Sequence, residues 1–470
     1  MSATATTEKK YLKWYQKLAY GSGDLASNCS YGLVSSFVLL YLTGTLGLDS
    51  AIIGSLMLAS KVLDGISDVI FGTLIDRTHS KLGKARPWML FGQVGVSLCL
   101  FLLFAIPAGS TTMQYIYFFI VYTALNAVFY TANGIAYSSL VALITKNNNE
   151  RVQLGSFRFM FAVVTNIFMG FAVTGMVEKF GSGAAGWRTT ALIFAIVGLV
   201  VNTISCLAVK ELPEEELSGN TSEAAEEGKA VAEEKKHGFA ETAKILVHNK
   251  YYLMILAIYI VYYIMSNLTT GAGVFCATYY WGDGSLLGQF SMMKMFPVII
   301  ALAIAPVLIK KTGSMQKVNF WGYAISSVLG IPMIYFAMQK NLSMFLLFMF
   351  IKGIFAGILS GSLNALIAEA SGYTTRTTGI HMDGMMYSCS SLGVKVGGGI
   401  GTAAVGWLLK LGGFVGTATV QSESAIRMIF NLYITFPFVI GIIITVLLAF
   451  LDVEKANKKW DAEHQKEAQA

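Results

Sequence analysis

Charge is scarce in this chain. Asp, Glu, Lys and Arg make up 13% of its 470 residues, about half the share usual in a soluble domain. Hydrophobic residues make up 55%, and the mean hydropathy is +0.60. One aqueous core cannot hide that much apolar surface. Many apolar segments of about 20 residues, each the length of a bilayer crossing, account for it. Cysteine is scarce too. Cys29, Cys99, Cys206, Cys276 and Cys389 form no C-x-x-C pair, and four lie deep in apolar segments. They read as small core residues, not as a metal or disulfide frame. His79, His237, His248, His381 and His464 fall mostly in or near loops or the tail, none at metal-ligand spacing. No G-x-x-x-x-G-K-S/T run is present, which argues against ATP-driven work within the chain. With no catalytic constellation, the protein is expected not to be an enzyme and to need no cofactor. The N-terminus, MSATATTEKKYLKWYQK, lacks a cleavable signal pattern, so the first apolar segment is expected to stay as a membrane helix.

Hydropathy predicts an all-α membrane protein of twelve helices, at roughly 18–44, 51–75, 87–107, 113–144, 154–178, 187–208, 251–278, 287–310, 317–338, 341–368, 379–411 and 425–451. Lys and Arg outnumber Asp and Glu by 34 to 27, a net +7. The surplus gathers in alternate loops, so topology explains it better than a nucleic-acid partner. One set of loops holds Lys9, Lys10, Lys13 and Lys17, then Arg77, Lys81, Lys84 and Arg86, then Lys146 and Arg151. Lys310, Lys311, Lys317, Arg376, Lys455, Lys458 and Lys459 continue the set. The turns between, LTGTLGLDS, PAGSTTM and YWGDGSLLGQ, carry no Lys or Arg. Lys179, Arg188, Lys340, Lys410 and Arg427 are exceptions on that side. The bias predicts a multi-pass protein of the cell membrane with both termini cytoplasmic. Residues 210–250 are the one long polar stretch and read as a cytoplasmic linker. The expected organisation is a six-helix bundle over 1–209, the linker, a second six-helix bundle over 251–454 and a cytoplasmic tail over 455–470. A solute site is expected between two such bundles.

Ionisable residues inside the apolar segments are the candidates for function, because they are costly in a bilayer. In KVLDGISDVIFGTLIDR, Asp64 and Asp68 are four apart and share a helical face, with Ser67 beside them and Lys61 one turn earlier. Two carboxylates and a hydroxyl offer hard oxygen ligands to a small cation, or repulsion between them lets one carry a proton. The plainer reading is an Asp64–Lys61 ion pair. Asp24 is the lone charge of YGSGDLASNCSYG. It can accept hydrogen bonds from solute hydroxyls, or simply meet water at a helix mouth. Arg158, in LGSFRFMFAVV, can pair with Asp24 or an anionic solute, or snorkel to the cytoplasm. Lys395 sits among the glycines of SLGVKVGGGIGTAAVG, small residues that let helices approach closely. Thr131, Asn133 and Tyr137, in YTANGIAYSSL, are neutral cavity candidates. Tyr137 can stack on a sugar ring, although most membrane tyrosines pack.

YGSGDLAS, DGISDVIFGTLIDR, GKARPW, NERVQLGSFR, TGIHMDGMMYS and SLGVKVGG together resemble the glycoside–pentoside–hexuronide:cation symporters, the melibiose-permease type within the major facilitator superfamily. The resemblance covers nearly the whole chain. It implies two six-helix bundles and a secondary transporter that moves a sugar or glycoside with Na⁺ or H⁺. It implies that Asp64, Ser67, Asp68 and Thr131 form the cation site, with Asp64 and Asp68 the metal ligands if the ion is Na⁺. Asp24, Arg158 and Lys395 match polar positions of the sugar cavity, and Tyr137 joins them as the stacking candidate. Gly72, Asp76 and Arg77 match a cytoplasmic signature that helps lock the bundles. Lys61 and Arg86 join this gating and structural set. The chain departs from the type at Gly134 and Ser138, where an aspartate and an aromatic are usual, and Glu369 alone remains of an acidic helix-ten ending. The expected partners are a small sugar or glycoside, the coupling cation and the lipid bilayer, with the protein working as a monomer. A uniporter lacking the coupling carboxylates and a transporter-like sensor are the rival readings.

Overall fold

A computed structural model describes residues 9–213, 239–380, 382–418 and 420–467. Residues 214–238 of the expected linker, with His237, and also His381, lie outside the described residues. Every regular element among the described residues is helical. The first half carries α1 (Trp14–Thr45), α2 (Ser50–Asp76), α3 (Arg86–Leu103), α4 (Thr111–Ile144), α5 (Asn148–Lys179) and α6 (Gly183–Leu207). A short α7 (Phe239–His248) follows, then α8 (Lys250–Trp281), α9 (Leu286–Thr312), α10 (Met315–Met338), α11 (Leu342–Thr378) and α12 (Asp383–Leu411). The last two are α13, built from Glu423–Phe430, Asn431–Thr435 and Phe436–Phe450, and α14 (Val453–Glu467). Each of the twelve segments expected from hydropathy is thus helical over most of its described residues. Among the described residues eleven helices are long and apolar enough to cross a membrane; α2, which holds Lys61, Asp64, Asp68 and Asp76, is not among them.

The helices begin where a side chain can take up their free N–H groups. Asp49 accepts from Ala51 and Ile52 at the start of α2, Ser110 from Met113 at α4, Asn147 from Glu150 at α5, and Asn249 from Tyr251 and Tyr252 at α8. Among the described residues four π-helical turns interrupt or end the long helices, at Tyr41–Thr45, Ala124–Tyr130, Cys276–Trp281 and Asn431–Thr435. The sequence reading has no counterpart for them, because hydropathy cannot see an i→i+5 bond.

The chain divides into two compact units. The first comprises residues 1–220 with 277–289 and 406–425; the second comprises 221–276, 290–405 and 426–470. In the first unit Lys17 is not a loop charge, because α1 starts at Trp14. It is 9% exposed and pairs with Glu150 at 2.9 Å. Glu150 also accepts from the Tyr11 and Leu12 N–H groups and the Thr145 hydroxyl. The Glu211 carboxylate accepts from the N–H groups of Lys84, Ala85 and Arg86 at 2.7, 3.0 and 3.0 Å. This explains the first residue of GKARPW. Gly83 has φ +109°, and a Cβ there would lie 2.3 Å from Glu211 Cδ. Segments 277–289 and 406–425 pack on the helices of this unit. Lys410 meets Asp49 at 2.6 Å, and the Ser50 hydroxyl donates to the Gly406 carbonyl at 2.9 Å.

In the second unit a stripe of glycines on α12 lies directly on α8. A Cβ at Gly397 would sit 2.4 Å from the Ile260 carbonyl oxygen, and one at Gly401 2.6 Å from that of Ile264. Close approach was the role read for these glycines. Glu454 caps α10 much as Glu211 caps α3, accepting from the Ser314 hydroxyl and from Gln316 N–H at 2.9 Å. In each unit, then, a carboxylate just beyond the last long helix of one half of the chain holds the start of that half's third long helix. The stretch expected as a tail begins as α14. Asn457 joins it to Glu369 at 3.0 Å and to Arg376 at 2.8 Å, and Trp460 stacks on His464.

Candidate functional site

The first unit gathers most of the expected site residues into two clusters. In the first cluster, Asp64 on α2 is 8% exposed and Thr131 on α4 is 6% exposed. The Thr131 hydroxyl lies 2.7 Å from Asp64 Oδ1 and 2.9 Å from the Asn126 carbonyl oxygen. Asn126 belongs to the π-helical turn that runs straight into Thr131. That turn brings a main-chain oxygen to a side-chain hydroxyl. Ser67 is buried, and its hydroxyl donates to the Asp64 carbonyl at 2.9 Å. Lys61 reaches Asp64 Oδ2 at 3.5 Å, long beside the 2.7–2.9 Å usual for a charge-assisted bond. Asp68 is one turn further along α2 and half-buried. The cluster can therefore present two carboxylates and a hydroxyl, hard oxygens suited to an alkali cation or a proton. Among the described residues no group of three His, Cys, Asp or Glu is placed to hold a metal ion.

The second cluster joins α1, α4 and α5. Arg158 Nε donates to Asp24 Oδ2 at 2.6 Å, with the side chains 25% and 18% exposed. The guanidinium lies over the Tyr137 ring, 4.2 Å from its centroid. Tyr137 OH is 2.8 Å from the Tyr20 carbonyl and 3.3 Å from Asp24 Oδ2. The two tyrosine rings lie 4.8 Å apart. Of the two partners foreseen for Arg158, the structure shows Asp24; snorkelling is not what it does here. Tyr137 is 3% exposed, so its ring supports Arg158 and packs, and no face is open to a sugar. Asn28 and Asn166 extend this polar strip, their side chains joined at 2.9 Å. Asn166 is absent from the sequence reading, although it lies eight residues, just over two helical turns, from Arg158 on the same helix face.

Other expected residues lie elsewhere. Asn133 is 3% exposed and donates to Gln93 at 2.6 Å, so it belongs to the α3–α4 packing and not to the polar strip. At neighbouring Gly134 an added Cβ would meet nothing within 4 Å. Lys395 lies in the second unit, half-buried on α12. Gly72 is half-buried on α2, and Asp76 and Arg77 are exposed at its C-terminal end. Arg86 is tied to the carbonyls of Cys206 and Leu82 at 3.2 and 3.3 Å.

Carboxylates and cations held inside apolar helices are the marks of a protein that moves a solute through the bilayer. The fold agrees with that reading. A solved bacterial homologue of the human lysosomal transporter Spinster, inward-facing and unoccupied, superposes with a TM-score of 0.69 at 13% identity, over 95% of this chain and 98% of its own. The protein is a multi-pass membrane transporter of the major facilitator fold, not an enzyme. The family model described as MFS/sugar transport protein matches residues 19–455, and the chain belongs to that family. It is 26% identical over 466 residues to the isoprimeverose transporter of Lactiplantibacillus pentosus, covering 98% of this chain and 93% of that protein. It is 24% identical over 426 residues to the inner membrane symporter YicJ of Escherichia coli (strain K12), covering 90% and 88%.

Proposed function

We propose that this chain is a symporter that takes a sugar or glycoside across the cell membrane together with Na⁺ or H⁺. The observation that carries the reading is the buried Asp64 carboxylate, held by Thr131 at 2.7 Å with Asp68 one turn away. The cation binds at Asp64, Ser67, Asp68 and Thr131 and offsets part of their negative charge. The competing use of Asp64, a structural pair with Lys61, rests on a contact of 3.5 Å. The solute binds near Asp24 and Arg158. Tyr137 contributes by holding Arg158 in place. The relatives named for isoprimeverose transport and for symport support both halves of the reading. The loop charges support cytoplasmic termini, and the protein works as a monomer. Joint occupancy by cation and solute favours the conformational switch of alternating access, because only a ligand with different affinities for two states can shift them.

The test is uptake into proteoliposomes with Asp68→Asn, run separately under Na⁺ and H⁺ gradients. The variant is expected to insert and fold but to lose accumulation against a gradient. Concentrative uptake by the variant would overturn the cation-site assignment.

A further inference from the structure

The second unit contains a cavity of about 170 Å³ that none of the site residues described above lines. Its walls come from α8 (Tyr262, Ser266), α9 (Lys294), α10 (Tyr323), α11 (Lys352) and α13 (Tyr433). By the volume of a single water, that is room for on the order of ten water molecules.

The two lysines are the unexplained feature. Lys294 donates to the neutral hydroxyl of Thr270 at 3.1 Å. Lys352 has no hydrogen-bond or ion-pair partner among the described residues. No Asp or Glu lines the cavity, and α8, α9 and α10 contain none at all. The one carboxylate of α11, Glu369, is 17 residues beyond Lys352, about 25 Å along the helix, and is held by Asn457. The Tyr323 hydroxyl is buried with no partner. Three donors therefore line one space, with two positive charges and no internal counter-charge. Uncompensated ammonium groups at membrane depth are costly and normally pair, and an orphaned buried donor loses its hydration without return. Both costs fall when an oxyanion enters. Much of the remaining wall is apolar, with Met265, Met293, Phe345 and Met349, which suits the carbon frame of an organic solute better than a bare inorganic ion.

We propose that the Lys294–Lys352 cavity is a binding site for the carboxylate or sulfonate of a small organic solute, so that the cargo is an anionic sugar derivative. This deepens the symport reading and rests on it.

The experiment is isothermal titration of the purified full-length protein in detergent with glucuronate, with isethionate as the sulfonate, and with neutral xylose. At least one oxyanion is expected to bind more tightly than xylose. Lys352→Gln and Lys294→Gln are each expected to weaken it about ten- to a hundredfold, the loss of one bond to a charged group. Lys352→Arg should retain most of the affinity. Without ligand, Lys352→Gln should melt no lower than the parent protein, because it removes an uncompensated charge. Two oxyanions that bind no better than xylose would overturn the proposal. So would an affinity that stays within twofold in both glutamine variants, or a ligand-free melting point that falls sharply in both. Uptake in proteoliposomes separates the two readings. Ion-driven uptake of xylose alone would sink the anion site and keep the symporter; oxyanion binding with no ion-driven uptake would do the reverse.

Discussion

The Asp24–Arg158 pair can be tested by a double-mutant cycle of Asp24→Asn, Arg158→Gln and the double variant. The contact is 2.6 Å, and the side chains are 18% and 25% exposed. Fully exposed pairs contribute about 0.2–1 kcal/mol, whereas removing one partner of a fully buried pair costs about 3–5 kcal/mol. A partly buried, single-bonded pair falls between, and a coupling of about 1–3 kcal/mol is expected. The cation–π contact of Arg158 with Tyr137 at 4.2 Å adds about 0.5–1 kcal/mol to the Arg158→Gln loss. That part stays outside the cycle, because Asp24→Asn leaves it intact. Each single variant strands a charge, so the double variant should unfold later than additivity predicts. The assay is equilibrium unfolding in detergent micelles, with calorimetry of solute binding on the same samples. Additive losses within about 0.3 kcal/mol would refute the pairing. Undiminished solute binding by Asp24→Asn would remove the cluster from the solute site even if the pairing holds.

Thr131→Val should change the dependence of uptake on the coupling cation at least tenfold, by removing a bond to a charged group that contributes about 1.5–3 kcal/mol; Thr131→Ser should restore it, and a change within twofold in an uptake titration would strike Thr131 from the site. Glu211→Gln and Glu454→Gln should each lower stability by about 0.5–2 kcal/mol, because each weakens a helix N-terminal cap; an unfolding curve unmoved by either would refute that role. Asp49 gives a pH dependence. Partial burial pushes its carboxyl up, but the bonds from Lys410, Ala51 and Ile52 outweigh this and hold it below its ordinary value. A carboxyl lowered in the folded state adds stability that is in place above the unfolded value of about 3.9 and is lost as pH falls through the folded one. The gap in melting temperature between the parent protein and Asp49→Asn should therefore be constant near neutrality and close below about pH 4. A gap unchanged at pH 3 would show that the carboxylate charge does not matter there.

The helices were legible because hydropathy over about 20 residues needs no tertiary information. The Asp64–Asp68 spacing was legible for the same local reason, and charge alone offers Asp24 as one of the alternatives for Arg158. What escaped depended on rotation about a helix or on distant partners. Asn133 differs from a cavity position by one residue, about 100° of turn, and that turn sends it to Gln93. Glu211 reads as one more acid at the head of a polar stretch; only the fold brings it to Lys84, Ala85 and Arg86, 125 to 127 residues earlier. For Tyr137 the sequence leaves stacking on a sugar and plain packing both open, and only the fold, which buries the ring beneath Arg158, decides for packing.

Lys294 and Lys352 escaped for a different reason, and a sequence signal for them does exist. Each is the one cation in the interior of a long apolar helix, with Lys310, Lys311 and Arg376 in the last turns, and a lysine near a helix end usually snorkels. These two are not near the ends: Lys294 is eight residues into α9 and Lys352 ten residues into α11. The informative quantity is the charge of the neighbouring helices. In the first unit Asp24 has Arg158, and Asp64 has Lys61 and Thr131, so a ligand there must compete with pairs already made. Around the second-unit cavity no carboxylate lines the wall, and Lys294 holds only the neutral Thr270 hydroxyl. A site whose charges are already matched selects a ligand by exchange, whereas one left with excess positive charge favours a ligand that brings its own negative charge. An anionic group on the solute is therefore the physical consequence of where this chain omits carboxylates.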